Sequence, residues 1–172
     1  MIMKDYRMFI EQMRETAEAI RVLTNGISEE QARWRPDPQS WSILEVVNHL
    51  YDEEREDFRV RLDLLLHRPE EPWPPIDPQA WITSRKYNQR DLKESIGGYL
   101  SERRKSVEWL KGLQNPDFSS YIESRFGKMS AGDMFAAWAA HDLLHIRQLM
   151  ELRYTYLRDS MAPYDPGYAG DF

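Results

Sequence analysis

The sequence contains no cysteine among its 172 residues. This absence excludes disulfide bonds, a cysteine nucleophile and thiolate ligands for a metal ion. A metal site in this chain must therefore use nitrogen and oxygen donors, which histidine and the acidic residues supply.

The sequence also lacks an excess of positive charge and any long apolar run. It has 23 basic and 29 acidic side chains, a formal net charge of −6, so no general attraction to nucleic acid or anionic lipid is expected. No stretch approaches the roughly 18 apolar residues of a membrane span, and the N-terminal segment has no apolar core typical of a signal peptide. We therefore expect a cytoplasmic protein whose partners include neither nucleic acid nor a membrane.

What the sequence does have is helical periodicity in four long segments. The second segment begins with Ser42-Ile-Leu-Glu45, a capping box, and the fourth follows an N-cap at Ser130 with Asp133 in its first turn. Apolar residues recur at three-and-four spacing, which predicts helices at about residues 3–25, 42–67, 88–113 and 134–156.

The segments between these helices are rich in proline or polar residues. Between the second and third helices, RPEEPWPPIDP holds five prolines in eleven residues and is expected to be an extended connection. Residues 120–126 form a hairpin or a loop, and the chain from about residue 157 is expected to be a loosely structured tail. The sequence thus predicts one all-α domain over residues 1–172, a four-helix bundle with a long proline-rich connection.

Three of the four histidines lie where two helices could bring them together. His141 and His145 are four residues apart, so they share one face of the fourth helix, about 6 Å apart at Cβ. A projection at 100° per residue places both on the inward stripe with Trp138. His49 lies on a polar stripe of the second helix with Asp52, which can face a wet cleft.

These histidines predict a site for one divalent metal ion, held by His49, His141 and His145. Three neutral imidazoles would leave at least one coordination position for water or substrate, as in catalytic sites. Zinc, nickel or another late divalent ion would fit such donors. The alternative is that the histidines are ordinary helix residues without a metal. His67 is explained by its favourable position at a helix C-terminus and is left out of the site.

Two better-known metal motifs fit the sequence poorly. His141-Asp-Leu-Leu-His145 resembles the H-E-x-x-H of zinc proteases, but Asp142 is one methylene shorter than the glutamate that acts as base. A di-iron bundle needs two E-x-x-H motifs and two further glutamates, and only Asp142-Leu-Leu-His145 comes close.

Several neighbouring residues have both a functional and a structural interpretation. Trp41 and Trp138 could line a substrate pocket, although packing is the commoner role for large aromatics. Glu53 could orient an imidazole, act as a base or complete the coordination, or belong to a solvated acidic face with its neighbours. Gln148 could contact substrate or bond to the second helix.

Three ordered blocks of the sequence resemble the DinB/YfiT-like family. They are Trp41-Ser42-Ile-Leu-Glu45-Val-Val-Asn-His49-Leu, Met129-Ser130-Ala-Gly-Asp133-Met134 and His141-Asp-Leu-Leu-His145-Ile-Arg-Gln148-Leu. With the helix lengths, the resemblance covers roughly residues 5 to 155. It implies an up-down-down-up four-helix bundle with one metal ion held at the positions of His49, His141 and His145.

The resemblance also implies a class of chemistry. Some relatives transfer or isomerise small molecules with a low-molecular-weight thiol such as bacillithiol, mycothiol or glutathione. The first functional hypothesis is therefore a metal-dependent S-transferase or hydrolase that activates a thiol or water for attack on a small substrate. The second is a non-catalytic metal-binding stress-response protein. The third is a helical interaction module, for example a homodimer.

Overall fold

The computed structural model describes residues 6–124 and 127–170, most of which are helical. The longer elements in chain order are α1 (Tyr6–Thr24), α2 (Glu29–Arg33), α3 (Ile43–Glu53), α4 (Arg59–His67), α5 (Pro78–Ser84), α6 (Leu92–Gly112), β1 (Tyr121–Ser124), β2 (Gly127–Ser130) and α7 (Ala131–Ser160). The second long helix of the bundle consists of α3, a π-helical turn at Glu54–Phe58 and α4, and the other three long helices are α1, α6 and α7. The predicted four-helix bundle is confirmed.

Two apolar clusters form the core, one toward each end of the bundle. Helix α1 packs against α6 and α7, α3 packs mainly against α6, and α4 contacts α7. The first cluster includes Met13, Leu62 and Trp138, and the second includes Ile20 and Leu44. On every long helix the residues between these clusters include a buried polar side chain, so a polar layer separates the two halves of the core.

The side chains that cap the helices set where they begin. Ser42 and Glu45 form the predicted capping box at the start of α3, and Ser130 forms a second one with Asp133 at the start of α7. The third long helix begins at Leu92 rather than at residue 88, because the Asp91 side chain accepts a hydrogen bond from a first-turn amide.

The second long helix is not the unbroken α-helix that the sequence pattern predicts. Residues Glu54–Phe58 form a π-helical turn between α3 and α4. A π turn holds more residues than an α turn, so it changes the direction of the side chains that follow. Periodicity alone could not locate this change.

The proline-rich connection is fastened to the second long helix by a buried carboxylate. The chain is extended before Asp77. The Asp77 side chain caps the short helix α5, and Pro78 is the first residue of that helix. The buried Asp52 then accepts hydrogen bonds from Tyr87 Oη at 2.6 Å and Arg85 Nη1 at 2.7 Å. These contacts explain how a chain segment with so few backbone amides keeps a defined place.

The remaining segments settle two smaller predictions. Of the range 120–126, Tyr121–Ser124 form strand β1, which pairs antiparallel with β2 in a hairpin, and residues 125 and 126 lie outside the described residues. Helix α7 continues to Ser160, so the tail begins later than residue 157; the first proline beyond this helix is Pro163. None of the described helices is long and apolar enough to span a membrane.

Candidate metal centre

The structure brings the three predicted histidines together between α3 and α7. His49 lies in the middle of α3, while His141 and His145 are one turn apart on α7. One ring nitrogen from each residue lies within 4.8 Å of the others. The Nε2 atoms of His141 and His145 face each other at 3.1 Å. When both rings carry their proton on Nδ1, the lone pairs of these two nitrogens converge and suit a common cation; in the other tautomer one Nε2–H donates to the other nitrogen.

The surroundings of the three imidazoles favour their neutral form. His49 is only 6% exposed, and its Nδ1 atom is buried without a hydrogen-bond partner among the described residues. Burial is the main cause that lowers the pKa of His49 to about 2 and that of His141 to about 3; the neighbouring histidines lower both further. Burial also lowers the pKa of His145. Neutral imidazole is the form that binds a metal ion, so the donors fit the predicted group.

Two neighbours fix the orientation of His145. Its Nδ1–H donates to Oε1 of Gln148 at 2.8 Å, which leaves the lone pair on Nε2, the atom 3.1 Å from His141 Nε2. The Trp41 indole is stacked on the His145 ring, with centroids 6.3 Å apart and planes within 8°, and meets His49 edge-on at 4.9 Å. Trp41 therefore forms one wall of the site, whereas Trp138 is fully buried in the core.

Glu53 adds an acidic group to the histidine cluster. Its Oε2 atom lies 3.7 Å from His141 Nε2, and its Oε1 atom lies 3.9 Å from His49 Nδ1. The residue is 6% exposed, and the acidic neighbours Asp52 and Glu54 are also buried, so this run is not a solvated face. Burial first, and the charge of Asp57 second, raise the pKa of the Glu53 carboxyl to about 8.

The polar layer beneath the site is centred on Arg103 of α6. Its guanidinium makes five hydrogen bonds, two to Glu54, two to Asp142 and one to the Met13 carbonyl. Asp142 also accepts from Thr16 Oγ1 at 2.5 Å. These contacts link all four long helices, and two of the acidic partners directly follow residues of the site, Glu53 and His141. The layer thus holds both helices of the site in register.

Asp142 has a structural place and not the catalytic one suggested by the protease-like spacing. Its side chain is fully buried in the Arg103 layer.

His67 lies at the end of α4, 3.8 Å from Asp63, and is more than half exposed. Sequence reasoning missed Arg103 as part of the site's support. One signal could have found it: Arg103 lies four residues from both Tyr99 and Val107, on the apolar stripe of α6.

A cavity of about 470 Å³ adjoins the cluster on the outer side of His145. Its walls include Trp41 and Gln148, which both contact the His145 ring, and the polar side chains of Ser40 and Thr155. Glu151 is the one charged side chain among the described residues that line it. The cavity has room for a small molecule and offers hydrogen-bonding groups with an acidic rim.

A helical bundle that gathers three imidazoles between two of its helices defines a candidate metalloprotein. The sequence profile of the DinB superfamily matches residues 12–149, so the chain belongs to this superfamily. The family prediction made from the three sequence blocks is confirmed.

A solved structure shows the same fold. YfiT from Bacillus subtilis superimposes with a TM-score of 0.79 at 16% sequence identity, over 91% of this chain and 90% of YfiT. YfiT is described as a probable metal-dependent hydrolase with an unusual four-helix bundle topology. A comparison with curated proteins found no match.

Proposed function

We propose that His49, His141 and His145 bind one divalent metal ion, zinc or nickel, and that the protein is a metal-dependent enzyme acting on a small molecule. The observation that carries this proposal is the convergence of three imidazole nitrogens from two helices within 4.8 Å. Imidazole donors suit late divalent ions. The fold similarity to YfiT, a probable metal-dependent hydrolase, supports hydrolysis as the first reaction class to test.

The chain's own residues prepare the site for such chemistry. A divalent ion held by three protein ligands supplies a Lewis acid with an open position for water or a low-molecular-weight thiol. Gln148 keeps the proton of His145 on Nδ1, so that Nε2 keeps the lone pair that a metal ion would bind. The Trp41 indole covers His49 and His145, and it excludes bulk water from that side of the imidazoles.

The cavity beside His145 favours a neutral or cationic substrate. Glu151 is the one charged side chain among its described lining residues, so an anionic substrate would meet no cationic side chain there. Ser40, Gln148 and Thr155 offer hydrogen bonds, and Trp41 offers an aromatic wall. A small ester or amide without a negative charge fits these walls best.

Metal analysis of the purified protein tests the proposed site. We expect one equivalent of zinc or nickel in wild-type protein prepared without an affinity tag or chelator. The variants His49→Ala, His141→Ala and His145→Ala should lose it while keeping their helix content, since each helix has its own apolar stripe. His67→Ala is the matched control and should keep the metal. A wild-type protein that binds neither ion, even when it is added, would contradict the proposal and favour the interaction module.

Turnover assays then separate the reaction classes. The metal-loaded protein is offered uncharged, cationic and anionic esters and amides, with and without bacillithiol, mycothiol or glutathione. Turnover without thiol identifies a hydrolase, and turnover only with thiol identifies a transferase. A stoichiometric metal without turnover of any substrate would favour the non-catalytic metal-binding protein.

A further inference from the structure

The Glu53 carboxylate is the most unusual polar group beside the histidine cluster. The residue is only 6% exposed, and no described residue makes a hydrogen bond to its carboxylate. Its two oxygens instead point toward two imidazoles, at 3.7 Å from His141 Nε2 and 3.9 Å from His49 Nδ1. The second of these nitrogens is itself a buried donor or acceptor without a partner.

Such an arrangement is costly unless something else binds there. A buried carboxylate needs a cation or several hydrogen-bond donors to replace the water it has lost. The nearby cations bind other groups: Arg61 lies 2.8 Å from Asp57 and offsets only part of the rise in the pKa of Glu53, and Arg103 uses its donors on Glu54, Asp142 and a backbone carbonyl. A positive charge between Glu53 and the imidazoles would give the Glu53 carboxylate and His49 Nδ1 a common partner.

We propose that Glu53 is the anionic member of the metal centre, a fourth protein group that binds the divalent ion together with His49, His141 and His145. This inference rests on the proposed function, because it requires that the three histidines bind an ion. The carboxylate lowers the net charge of the loaded site from +2 to +1, which makes its burial less costly. Oxygen and imidazole donors together suit zinc and nickel, and an ion that accepts a fifth ligand keeps a position for water or a thiol beside these four groups.

The test measures affinity for zinc alone, by competition with a chromophoric chelator, and needs no substrate. Glu53→Gln keeps the shape of the side chain and removes its charge, and Glu53→Ala is a second variant in case the amide is poorly tolerated. We expect both variants to bind zinc about 10–100-fold more weakly than the wild type. Glu151→Gln is the matched control, an acidic residue at the adjoining cavity, and should change zinc affinity less than about twofold.

Thermal unfolding provides a second readout. Without metal, Glu53→Gln should unfold at a higher temperature than the wild type, because the wild type must bury a carboxyl group that is ionised in the unfolded chain. With saturating zinc, the wild type should gain more in Tm than this variant. In a crystal structure of the zinc-loaded wild type, a Glu53 oxygen should lie about 2.0–2.2 Å from the ion.

The outcomes separate the two proposals. A wild type that binds zinc and Glu53 variants that bind it equally well would overturn the role of Glu53 and leave the three-histidine site standing. A metal-free Glu53→Gln that is less stable, with unchanged zinc affinity, would show a structural role and would also overturn the inference. A wild type that binds no zinc would overturn the proposed function itself.

Discussion

Arg103 and Asp142 are joined by two hydrogen bonds at the centre of the bundle, one residue away from His141. Both side chains are almost fully buried, at 3% and 0% exposure. Because Asp142 directly follows His141 in the turn of α7 that leads to His145, this pair fixes the rotation of that helix beside the site. The stability of the core and the geometry of the proposed metal centre therefore depend on the same contact.

Removing the arginine should cost much of the protein's stability. Arg103→Met leaves Glu54 and Asp142 buried without their cation, and we expect a loss of about 3–5 kcal/mol in the free energy of unfolding. Urea denaturation followed by circular dichroism measures it. The triple variant Arg103→Met, Glu54→Gln and Asp142→Asn should recover part of that loss, since the charges disappear together. A loss below about 1 kcal/mol in the single variant would contradict the burial of this layer.

Loss of the Gln148 side-chain acceptor should weaken metal binding without unfolding the helix. Gln148→Leu removes the acceptor for Nδ1–H of His145, so the ring is free to rotate or change tautomer. We expect affinity for zinc to fall about 10-fold or more, measured by chelator competition. Gln148→Glu keeps an acceptor and should bind at least as well as the wild type. Gln39→Leu, in the same cavity, should have no effect on zinc affinity.

The stability of the metal-free protein should depend on pH through Glu53. The pKa of this carboxyl is about 8 in the folded protein against a reference of 4.5, so only the folded state holds the proton between these values. The stability that this proton provides is complete below pH 4.5 and is lost as the pH rises toward 8. Glu53→Gln cannot titrate. Its stability relative to the wild type should therefore rise by about 1 kcal/mol per pH unit between pH 5 and 8.

Urea unfolding with chelator present, at pH 5, 6.5 and 8, measures this difference. The histidines titrate in both proteins, so their contribution cancels in the comparison. Parallel stability profiles for the wild type and Glu53→Gln would contradict the buried, unpaired state of this carboxylate.

The contact between Tyr87 and Asp52 should contribute to stability through the connection between the second and third long helices. Tyr87→Phe removes the hydroxyl that donates to Asp52 at 2.6 Å in a buried setting. We expect a loss of about 1.5–3 kcal/mol in the free energy of unfolding, measured by denaturant titration. Tyr164→Phe removes a hydroxyl from a residue that is 77% exposed and should be neutral. Equal stability of Tyr87→Phe and the wild type would show that this contact does not hold the connection in place.

The sequence predicted the elements whose signals are local. Helix periodicity and the capping box at Ser42 located the four long helices, because burial on one face imposes the three-and-four spacing. The histidine cluster was predictable for the same reason, since residues four apart share a face and His49 lies on the polar stripe of its own helix. The hairpin remained open between two interpretations because its eight paired residues include few β-branched side chains.

The support of the site was beyond this kind of reasoning. Arg103, Glu54 and Asp142 are charged residues in charged helices, which usually places them in water. Their burial depends on three helices meeting at one level, a tertiary relationship that no single helix reveals. The same holds for Phe58, whose ring lies 4.9 Å from that of His141, because this contact joins two helices that are far apart in the sequence.

The π-helical turn at Glu54–Phe58 lets one continuous helix present different faces to different neighbours. Its first half, α3, packs mainly against α6, and its second half, α4, contacts α7. One residue added to a helix rotates everything beyond it by about 100° relative to an uninterrupted α-helix. A relative with a straight helix would therefore need one residue fewer between His49 and Leu62, and aligning the two correctly requires a single-residue gap inside a helix. Deleting one residue from this turn would shorten the chain by less than 1% but would rotate α4 by about 100°, so that part of its buried face would turn away from the core.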